Sequence, residues 1–189
     1  MRIIGGQFRS RILATFEGEN IRPTSDRAKE ALFNILSNRI YGARVLDLFS
    51  GSGALGLESL SRGASQAVFN DFSKASIAVL QKNIKTLNIQ PQATVYNYDY
   101  LRCLNLLKGK FDIVFLDPPY RMDYGVTAIN TVMEKELLAE NGVIVYERDR
   151  PFQDQTSLHP SLTQTDERKY GKTYFTFFMQ NLDMEEQSV

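Results

Sequence analysis

The stretch that decides the fold is RVLDLFSGSGALG, residues 44–56, in which an apolar strand pattern runs directly into a glycine-rich loop. Gly51, Gly53 and Gly56 fit the spacing G-x-G-x-x-G between a predicted strand and a predicted helix. Such a loop lets backbone N–H groups approach a ligand closely at the amino end of a helix. Taken alone the motif is weak, because it fits a nucleotide site or only a tight turn.

From residue 43 onward, strand and helix patterns alternate along the chain. The predicted strands are 44–49, 66–71, 93–99, 111–117 and 142–147, and the predicted helices are 54–62, 74–87, 100–107 and 124–138. Residues 162–179 have the pattern of a hairpin around Tyr170–Gly171–Lys172. Alternation of this kind predicts an α/β fold with a mostly parallel, doubly wound sheet.

The first 42 residues form a predicted extension ahead of this domain. Two β-type runs, RIIGGQF and SRILATF, predict a hairpin or a pair of edge strands, and a helix capped by Ser25 or Asp26 follows. The core-facing positions expected on that helix are Leu32, Ile35, Leu36 and Ile40. We expect three parts: the extension at 1–42, the main domain at 43–182, and an acidic, disordered tail at 183–189.

Composition narrows the classes of function. The chain has 189 residues and one cysteine, Cys103, so we expect no intrachain disulfide and a cytoplasmic protein. With a single histidine, His159, a zinc site is disfavoured, and His159 lies in no catalytic motif. No apolar run approaches the roughly 18–20 residues of a membrane span.

Four acids stand near the ends of predicted strands: Asp47, Asp71, Asp99 and Asp117. Ligands of doubly wound sheets bind outside the carboxyl ends of the strands, which places these acids on one edge. Asp71 is positioned to bind both hydroxyls of a ribose, and Asp99 to accept a hydrogen bond from an adenine amino group. Asp47, directly before the glycine loop, would repel a pyrophosphate but suit an ammonium group. The pocket therefore favours S-adenosylmethionine (AdoMet), which carries positive charge and no phosphate, over NAD.

The strand 111–117 ends in the motif Asp117–Pro118–Pro119–Tyr120. The exocyclic amine of a base is a poor nucleophile, because its lone pair is delocalised into the ring. Asp117 and the Pro118 carbonyl can accept its two N–H bonds, and the prolines make the turn rigid. Tyr120 offers a ring on which an extruded base can stack. The motif predicts methylation of an amine without a metal.

Positive charge is concentrated at the start of the chain. Residues 1–44 carry eight Arg or Lys against four Asp or Glu, a net +4 on a chain of formal net charge zero. The eight are Arg2, Arg9, Arg11, Arg22, Arg27, Lys29, Arg39 and Arg44. This excess predicts a local contact with a polyanion, the plainer alternative being a solvated positive face.

Five segments together resemble the RsmD-like methyltransferases, bacterial enzymes that use AdoMet to methylate N2 of a guanine in 16S ribosomal RNA. They are RIIGGQFRSR (2–11), RPTSDRAKEALFNIL (22–36), DLFSGSGALGLESLSRGA (47–64), FLDPPY (115–120) and RKYGKTYF (168–175). The second is far more specific than the glycine loop or DPPY, which many amine methyltransferases share. The likeness covers most of the chain.

The resemblance implies a Rossmann-like class I methyltransferase sheet of seven strands, the last antiparallel, and a substrate that is 16S rRNA or the small ribosomal subunit. It implies catalytic roles for Asp117, Pro118, Pro119 and Tyr120. The cofactor residues would be Asp47, Phe49, Gly51, Ser52, Gly53, Asp71, Asp99 and Asp117, and Asn70 could share the ribose contact with Asp71. The RNA contacts would be Arg2, Arg9, Arg11, Arg22, Thr24, Arg27 and Tyr120, and Asn34 matches a further family position. We expect a monomer.

Three other functions stay open on the sequence. DPPY chemistry also suits an adenine-N6 methyltransferase acting on DNA or RNA, although the chain has no room for a separate target-recognition domain. A non-catalytic ribosome-assembly factor is disfavoured by the intact DPPY motif. An NAD-dependent oxidoreductase is disfavoured by Asp47.

Overall fold

The computed structural model describes residues 1–15, 25–119 and 124–181, which form one seven-stranded sheet with helices on both faces. The strands are β1 Arg44–Asp47, β2 Gln66–Asn70, β3 Ala93–Tyr96, β4 Phe111–Leu116, β5 Leu138–Arg148, β6 Leu162–Tyr170 and β7 Thr173–Gln180. The helices are α1 Asp26–Ile35, α2 Ser37–Ile40, α3 Ala54–Ser61, α4 Lys74–Leu87, α5 Tyr100–Leu106 and α6 Tyr124–Glu134. Within those ranges, no helix has the length and apolar character needed to span a membrane.

The strand order is β3-β2-β1-β4-β5-β7-β6, which confirms the predicted fold class. Strands β1 to β5 are parallel, and β7 runs antiparallel between β5 and β6. After β3 the chain crosses the sheet and adds β4 on the other side of β1, so the topological switch point lies between β1 and β4. Asp47 pairs with Phe115 there, which brings the carboxyl ends of these two strands together.

Two hydrophobic layers cover the sheet, because successive side chains of a strand point to opposite faces. Val45 and Phe115 belong to the layer shared with α1, α3 and α4, whereas Leu46 and Val114 belong to the layer shared with α5 and α6. By the same alternation, Asp47 lies on the face of Val45, at the end where β1 enters the glycine loop.

Two sequence predictions need correction. The helix predicted at 124–138 ends at Glu134, because Glu136 adopts a left-handed conformation with φ of 52° and Leu137 donates back to the carbonyl of Val132, a Schellman ending. Leu138 then begins β5, opposite Phe111.

The second correction concerns the first helix. Ser25 caps α1 as predicted, and Leu32, Leu36 and Ile40 are buried, but Ile35 is 41% exposed. Phe33 takes the buried place, with its ring 5.9 Å from that of Phe115. The helical period alone did not fix whether Phe33 or Ile35 faces the sheet.

The N-terminal arm, residues 1–15, folds back on itself. The predicted hairpin is reduced to a single antiparallel bridge between Arg2 and Ile12, supported by backbone hydrogen bonds such as that from the Ile3 N–H to the Arg11 carbonyl. Ile3 and Leu13 are buried in the core layer of α1, α3 and α4. The arm is therefore attached to the main domain through its own side chains.

A buried carboxylate, that of Glu58 on α3, fixes the arm more firmly. Its two oxygens accept hydrogen bonds from the backbone N–H groups of Ile4 and Gly5, each at 2.8 Å. They also form ion pairs with Lys29 of α1 at 3.2 Å and with Arg62 at 2.8 Å. The Glu58 and Lys29 side chains are fully buried, so one carboxylate joins the arm, α1 and α3.

The buried ammonium group of Lys29 depends on the Glu58 carboxylate as its counter-charge. Burial lowers the pKa of Lys29 below its ordinary value, and the Glu58 carboxylate opposes that shift. The Lys29 ammonium also donates to the Arg2 carbonyl at 2.6 Å. Removing the carboxylate would leave a buried cation and two backbone N–H groups with poorer partners.

We expect Glu58→Gln to lower the free energy of unfolding by about 3–5 kcal/mol, the usual effect of breaking a buried ion pair on one side. A glutamine keeps the volume but turns one acceptor into a donor facing other donors. Urea unfolding measures the change. The matched control is Asp26→Asn, which breaks the exposed Arg2–Asp26 pair and should cost at most about 1 kcal/mol. Equal losses in the two variants would contradict the role given to Glu58.

Candidate active site

The glycine loop connects β1 to α3 and is held from both sides. Asp47, the last residue of β1, is buried, and its Oδ2 accepts a hydrogen bond from the Gly56 N–H at 2.9 Å. The Gly51 N–H donates to Oδ2 of Asp71 at 2.8 Å. Gly51 has a φ of 53°, and a Cβ placed there would meet nothing within 4 Å, so its backbone borders open space. A ligand can approach the chain closely at this point.

Ser50, next to Gly51, has an unsatisfied side chain. Its backbone N–H donates to the Asn70 carbonyl at 2.9 Å, and the residue is buried. Its Oγ is buried as well and has no hydrogen-bond partner among residues 1–15, 25–119 and 124–181. A buried hydroxyl without a partner is costly, and a polar ligand against the loop would satisfy it. The loop therefore fits a polar cofactor.

Asp71 and Asn70, the two residues expected to share a ribose contact, differ in their positions. Asp71 follows β2 and is half-buried; its Oδ1 accepts from the Ser73 N–H at 2.8 Å, while Oδ2 holds Gly51. Asn70 is buried, and its side-chain amide bonds the backbone of Leu48 and Tyr98. Asn70 therefore connects the carboxyl ends of β1, β2 and β3 through its hydrogen bonds. Of the two residues, Asp71 is the one whose carboxylate can still accept hydrogen bonds from a ligand.

Asp99 and Phe49 lie on the same edge. Asp99 is the exposed N-cap of α5, and its Oδ1 accepts a hydrogen bond from the Leu101 N–H at 3.0 Å. Capping this helix is therefore one role of Asp99. Phe49 is half-buried, its ring 5.5 Å from that of Tyr100. Sequence reasoning missed Phe72, which directly follows Asp71 and is 80% exposed. The feature of the sequence that could have identified Phe72 is its position directly after Asp71, an acid at the end of a strand.

Three carboxyl groups from neighbouring strands meet near the switch point. Burial raises the pKa of Asp47 to about 7, and the charges of Asp71 and Glu147 add to the shift against the opposing hydrogen bond from Gly56. Burial also raises the pKa of Asp117 well above its ordinary value, with Glu147 and then Asp47 contributing. When no cation lies at this edge, burial and repulsion therefore favour the protonated forms of Asp47 and Asp117.

Sequence reasoning missed Glu147, although it resembles the four acids already identified. It is the buried acid near the end of β5, within the apolar run GVIVYE. Its neighbour Tyr146 pairs with Leu116, so Glu147 is adjacent in register to Asp117. The sequence does show an acid near the end of a predicted strand. The importance of Glu147 becomes clear only when β5 is known to lie beside β4.

The motif Asp117–Pro118–Pro119–Tyr120 follows β4 directly in the sequence. Asp117 is half-buried, Pro118 is buried and Pro119 is exposed. Tyr120 lies outside the described residues. Because β4 borders the switch point, Asp117 and Pro118 stand at the same edge as the glycine loop, which is the arrangement that the sequence predicted for these two residues.

The predicted RNA-contact residues are more scattered. Arg9 and Arg11 are exposed on the N-terminal arm, Arg2 pairs with Asp26, and Arg27 is exposed in the first turn of α1. Arg22 and Thr24 lie outside the described residues. Of the other basic residues counted at the start of the chain, Arg44 donates to the carbonyls of Lys108 and Lys110 and Arg39 to that of Asn141, all at the amino ends of the strands.

Asn83 of α4 links the N-terminal arm to the glycine loop. Its side chain is buried, accepts from the Ala14 N–H at 2.7 Å and donates to the Ala14 carbonyl at 3.1 Å. The same amide donates to the Ser52 carbonyl at 3.0 Å. The arm and the loop thus share a rigid hydrogen-bond partner.

Other ionisable or nucleophilic groups lie away from this edge or are engaged elsewhere. Burial raises the pKa of the Cys103 thiol to about 12, which leaves it unreactive. His159 takes part in a turn: its Nδ1 accepts from the Ser161 N–H at 3.3 Å. Among the described residues, no group of His, Cys, Asp and Glu side chains is arranged to hold a metal ion.

We expect Asp47→Asn to change how stability depends on pH. Unfolded, Asp47 ionises near pH 4; folded, its pKa is about 7. Between these values the unfolded state binds fewer protons, so the wild type loses stability relative to the variant as pH rises, by on the order of 4 kcal/mol in all. Urea unfolding of both proteins without ligand, at pH 4.5 to 8, measures the difference. A constant difference across that range would contradict the buried, protonated Asp47.

Comparison with known proteins places this site in a family. The family model described as "Conserved hypothetical protein 95" matches residues 1–179. The chain is 40% identical over 157 residues to the ribosomal RNA small subunit methyltransferase D of Haemophilus influenzae, covering 80% of this chain and 81% of that one.

Solved structures agree. The Escherichia coli protein yhhF superposes with a TM-score of 0.85 at 36% identity, covering 96% of this chain and 98% of that one. The SAH-bound methyltransferase PaMTH1 of Podospora anserina matches with a TM-score of 0.67 at 17% identity, over 83% of this chain and 80% of that one, and shows the shared class I methyltransferase fold. The chain belongs to the RsmD-like methyltransferase family.

Proposed function

We propose that this protein uses AdoMet to methylate the exocyclic N2 amine of a guanine in 16S ribosomal RNA. The observation that carries the proposal is the position of Asp117 and Pro118, directly after β4 at the switch point and beside the glycine loop of β1. Named relatives with 40% identity are ribosomal RNA small subunit methyltransferases, which supports the same substrate class.

The residues around the loop fit AdoMet in charge and in hydrogen bonding. Asp47 and Asp71 suit its ammonium group and ribose, and Gly51, Ser52 and Gly53 form the wall against which it would lie. The Ser50 hydroxyl, which has no partner among the described residues, gains one. We assign Phe49, Phe72 and Asp99 to the adenine, because they follow the carboxyl ends of β1, β2 and β3. When bound, AdoMet supplies an electrophilic methyl group and a positive charge.

The chain's own residues then orient the amine. Asp117 and the carbonyl of Pro118 accept its two N–H bonds, which fixes the nitrogen and directs its lone pair away from the ring. A cation at this edge lowers the pKa values of Asp47 and Asp117, so that Asp117 accepts hydrogen bonds as a carboxylate. Pro119 keeps the turn rigid, and Tyr120 provides a face for the extruded base. A carboxyl group of this cluster takes up the proton that the methylated amine loses.

The RNA would lie across the face that carries the N-terminal arm. Arg9 and Arg11 are exposed there, Arg2 and Arg27 lie near the start of α1, and Arg22 and Thr24 precede it in the chain. We place the RNA-facing extension at residues 1–42 and the AdoMet-binding domain at 43–182, followed by an acidic tail. The enzyme acts as a cytoplasmic monomer on 16S rRNA or the small ribosomal subunit.

An adenine-N6 methyltransferase is the second candidate, because Asp117 and Pro118 would hold an adenine amine equally well. The preference for guanine N2 rests on the family segments that surround the motif. Experiment must therefore identify the modified base.

The test is transfer of labelled methyl groups from AdoMet to small ribosomal subunits isolated from cells that lack this enzyme, followed by nuclease digestion and nucleoside mass analysis. We expect label in N2-methylguanosine from 16S rRNA. Label in N6-methyladenosine would establish the second candidate, and absence of label from both naked 16S rRNA and assembled subunits would overturn the proposal.

The same assay tests the role of Asp117. We expect Asp117→Ala to reduce the rate by a factor on the order of 10² to 10³ or more, while AdoMet binding measured by calorimetry stays within a few-fold. The matched control is Asp112→Asn at the opposite end of β4, where the carboxylate accepts a hydrogen bond from the Arg44 N–H. That variant should retain full activity. Normal activity of Asp117→Ala would contradict the mechanism.

A further inference from the structure

A cleft of about 440 Å³ separates the first turn of α1 from the turn between β6 and β7. Its walls include Ser25, Arg27 and Ala28 on the helix side, and Lys169, Tyr170 and Thr173 on the hairpin side. The cleft gives the hairpin of β6 and β7 a contact surface of its own.

The cleft lies on the same edge of the sheet as the candidate active site. Strand β7 runs antiparallel to β5, and Tyr174 pairs with Arg148, the last residue of β5. The turn from Tyr170 to Thr173 therefore extends beyond the carboxyl end of β5, next to Glu147. A polymer that enters the active site across this edge would pass the cleft.

The cleft also carries positive charge that described acids do not neutralise. On α1, Asp26 pairs with Arg2 at 2.8 Å, which leaves Arg27 without an ion pair to any residue in the described ranges. The next acid along α1 is Glu30, which is exposed and is not among the residues that line the cleft.

In the hairpin of β6 and β7, as on α1, acids near the cleft are engaged with other partners. Asp166 pairs with Arg168 at 2.8 Å. The Glu167 carboxylate accepts from the Phe152 N–H and from the Thr176 hydroxyl, both at 2.8 Å. The Lys169 ammonium lies 5.2 Å from the centre of the Tyr174 ring and forms no ion pair with a described residue, and Lys172 in the turn is exposed. Two elements distant in sequence therefore present cations to one cleft, while Asp26, Asp166 and Glu167 have partners of their own.

We propose that this cleft binds the sugar–phosphate backbone of the RNA, with Arg27 and Lys169 each contacting a phosphate. The amino end of α1 adds a favourable dipole for an anion. Phosphate contacts position a nucleic acid without reading its sequence, so the cleft sets the register of the RNA against the edge. The inference rests on the proposed function for its substrate class and adds the C-terminal hairpin to the RNA-binding surface.

The test compares the variant Arg27→Gln/Lys169→Gln with the wild type in equilibrium binding to 16S rRNA over a range of salt concentrations. Each lost phosphate contact removes about 0.7 to 0.9 from the slope of log affinity against log salt, so we expect the slope to fall by about 1.4 to 1.8 and the affinity at low salt to fall on the order of ten-fold. Arg27→Lys/Lys169→Arg, which keeps both charges, should bind like the wild type.

The matched control is Lys108→Gln/Lys110→Gln, which removes two exposed charges at the amino end of β4, on the opposite edge of the sheet. It should leave both slope and affinity unchanged. Circular dichroism and thermal unfolding confirm that each variant is folded before binding is measured.

The outcomes separate the cleft from the proposed function. If the wild type methylates rRNA and the Arg27/Lys169 variant binds with unchanged slope, the cleft proposal is wrong. If the wild type binds rRNA through the cleft but transfers no methyl group to it, the proposed function fails and the cleft stands. If the wild type does not bind rRNA, or if the Lys108/Lys110 control loses as much affinity as the cleft variant, the cleft proposal is overturned.

Discussion

The carboxylate of Glu58 is the interaction on which the arrangement of the N-terminal arm depends. It is fully buried, and it satisfies two backbone N–H groups of the arm and the buried ammonium of Lys29 at once. Because Glu58 belongs to α3, the helix that begins at the glycine loop, the arm is fixed relative to that loop. Asn83 makes a second connection, from Ala14 to Ser52. An arm that carries exposed arginines is thereby held in a defined position beside the candidate active site.

The second constraint is electrostatic. Asp47, Asp117 and Glu147 come from three adjacent strands, and two of them have raised pKa values because burial and mutual repulsion oppose ionisation. A site of this kind is costly when its acids ionise without a counter-charge, and a cation relieves that cost. The same physical feature explains why the glycine loop suits a cationic cofactor better than a pyrophosphate. It also ties the protonation of the site to cofactor binding.

Much of the fold could be predicted because local pattern and tertiary structure agree. Apolar runs ending in acids marked the strands, and the spacing of Gly51, Gly53 and Gly56 marked the loop between β1 and α3. Several features that were missed depend on contacts between distant parts of the chain. Neither the choice of Phe33 over Ile35 for the core nor the partnership of Lys29 with Glu58 is visible in a local pattern.

The candidate site shows the same limit. The sequence placed Asp47, Asp71 and Asp117 on one edge because strand ends are a local property. Glu147 was missed because its importance depends on β5 lying beside β4. The net charge of the first 44 residues overstated the basic surface near the site, because Arg39 and Arg44 bind carbonyls at the opposite edge. The end of α6 depends on Glu136 in a left-handed conformation, which few non-glycine residues adopt.

We propose that Asp47 and Asp117, whose pKa values are raised in the free protein by burial and by neighbouring carboxylates, ionise when a cationic cofactor binds at the switch point. The most direct test of this proposal is the number of protons released when AdoMet binds, measured by calorimetry at pH 6 in two buffers of different ionisation enthalpy. With its pKa at about 7, Asp47 is mostly protonated before binding, and it becomes a carboxylate opposite the ammonium group. We predict release of more than one proton per AdoMet by the wild type, since Asp47 and Asp117 both ionise, and about one proton fewer by Asp47→Asn. Binding with no proton release, or with proton uptake, would contradict the account.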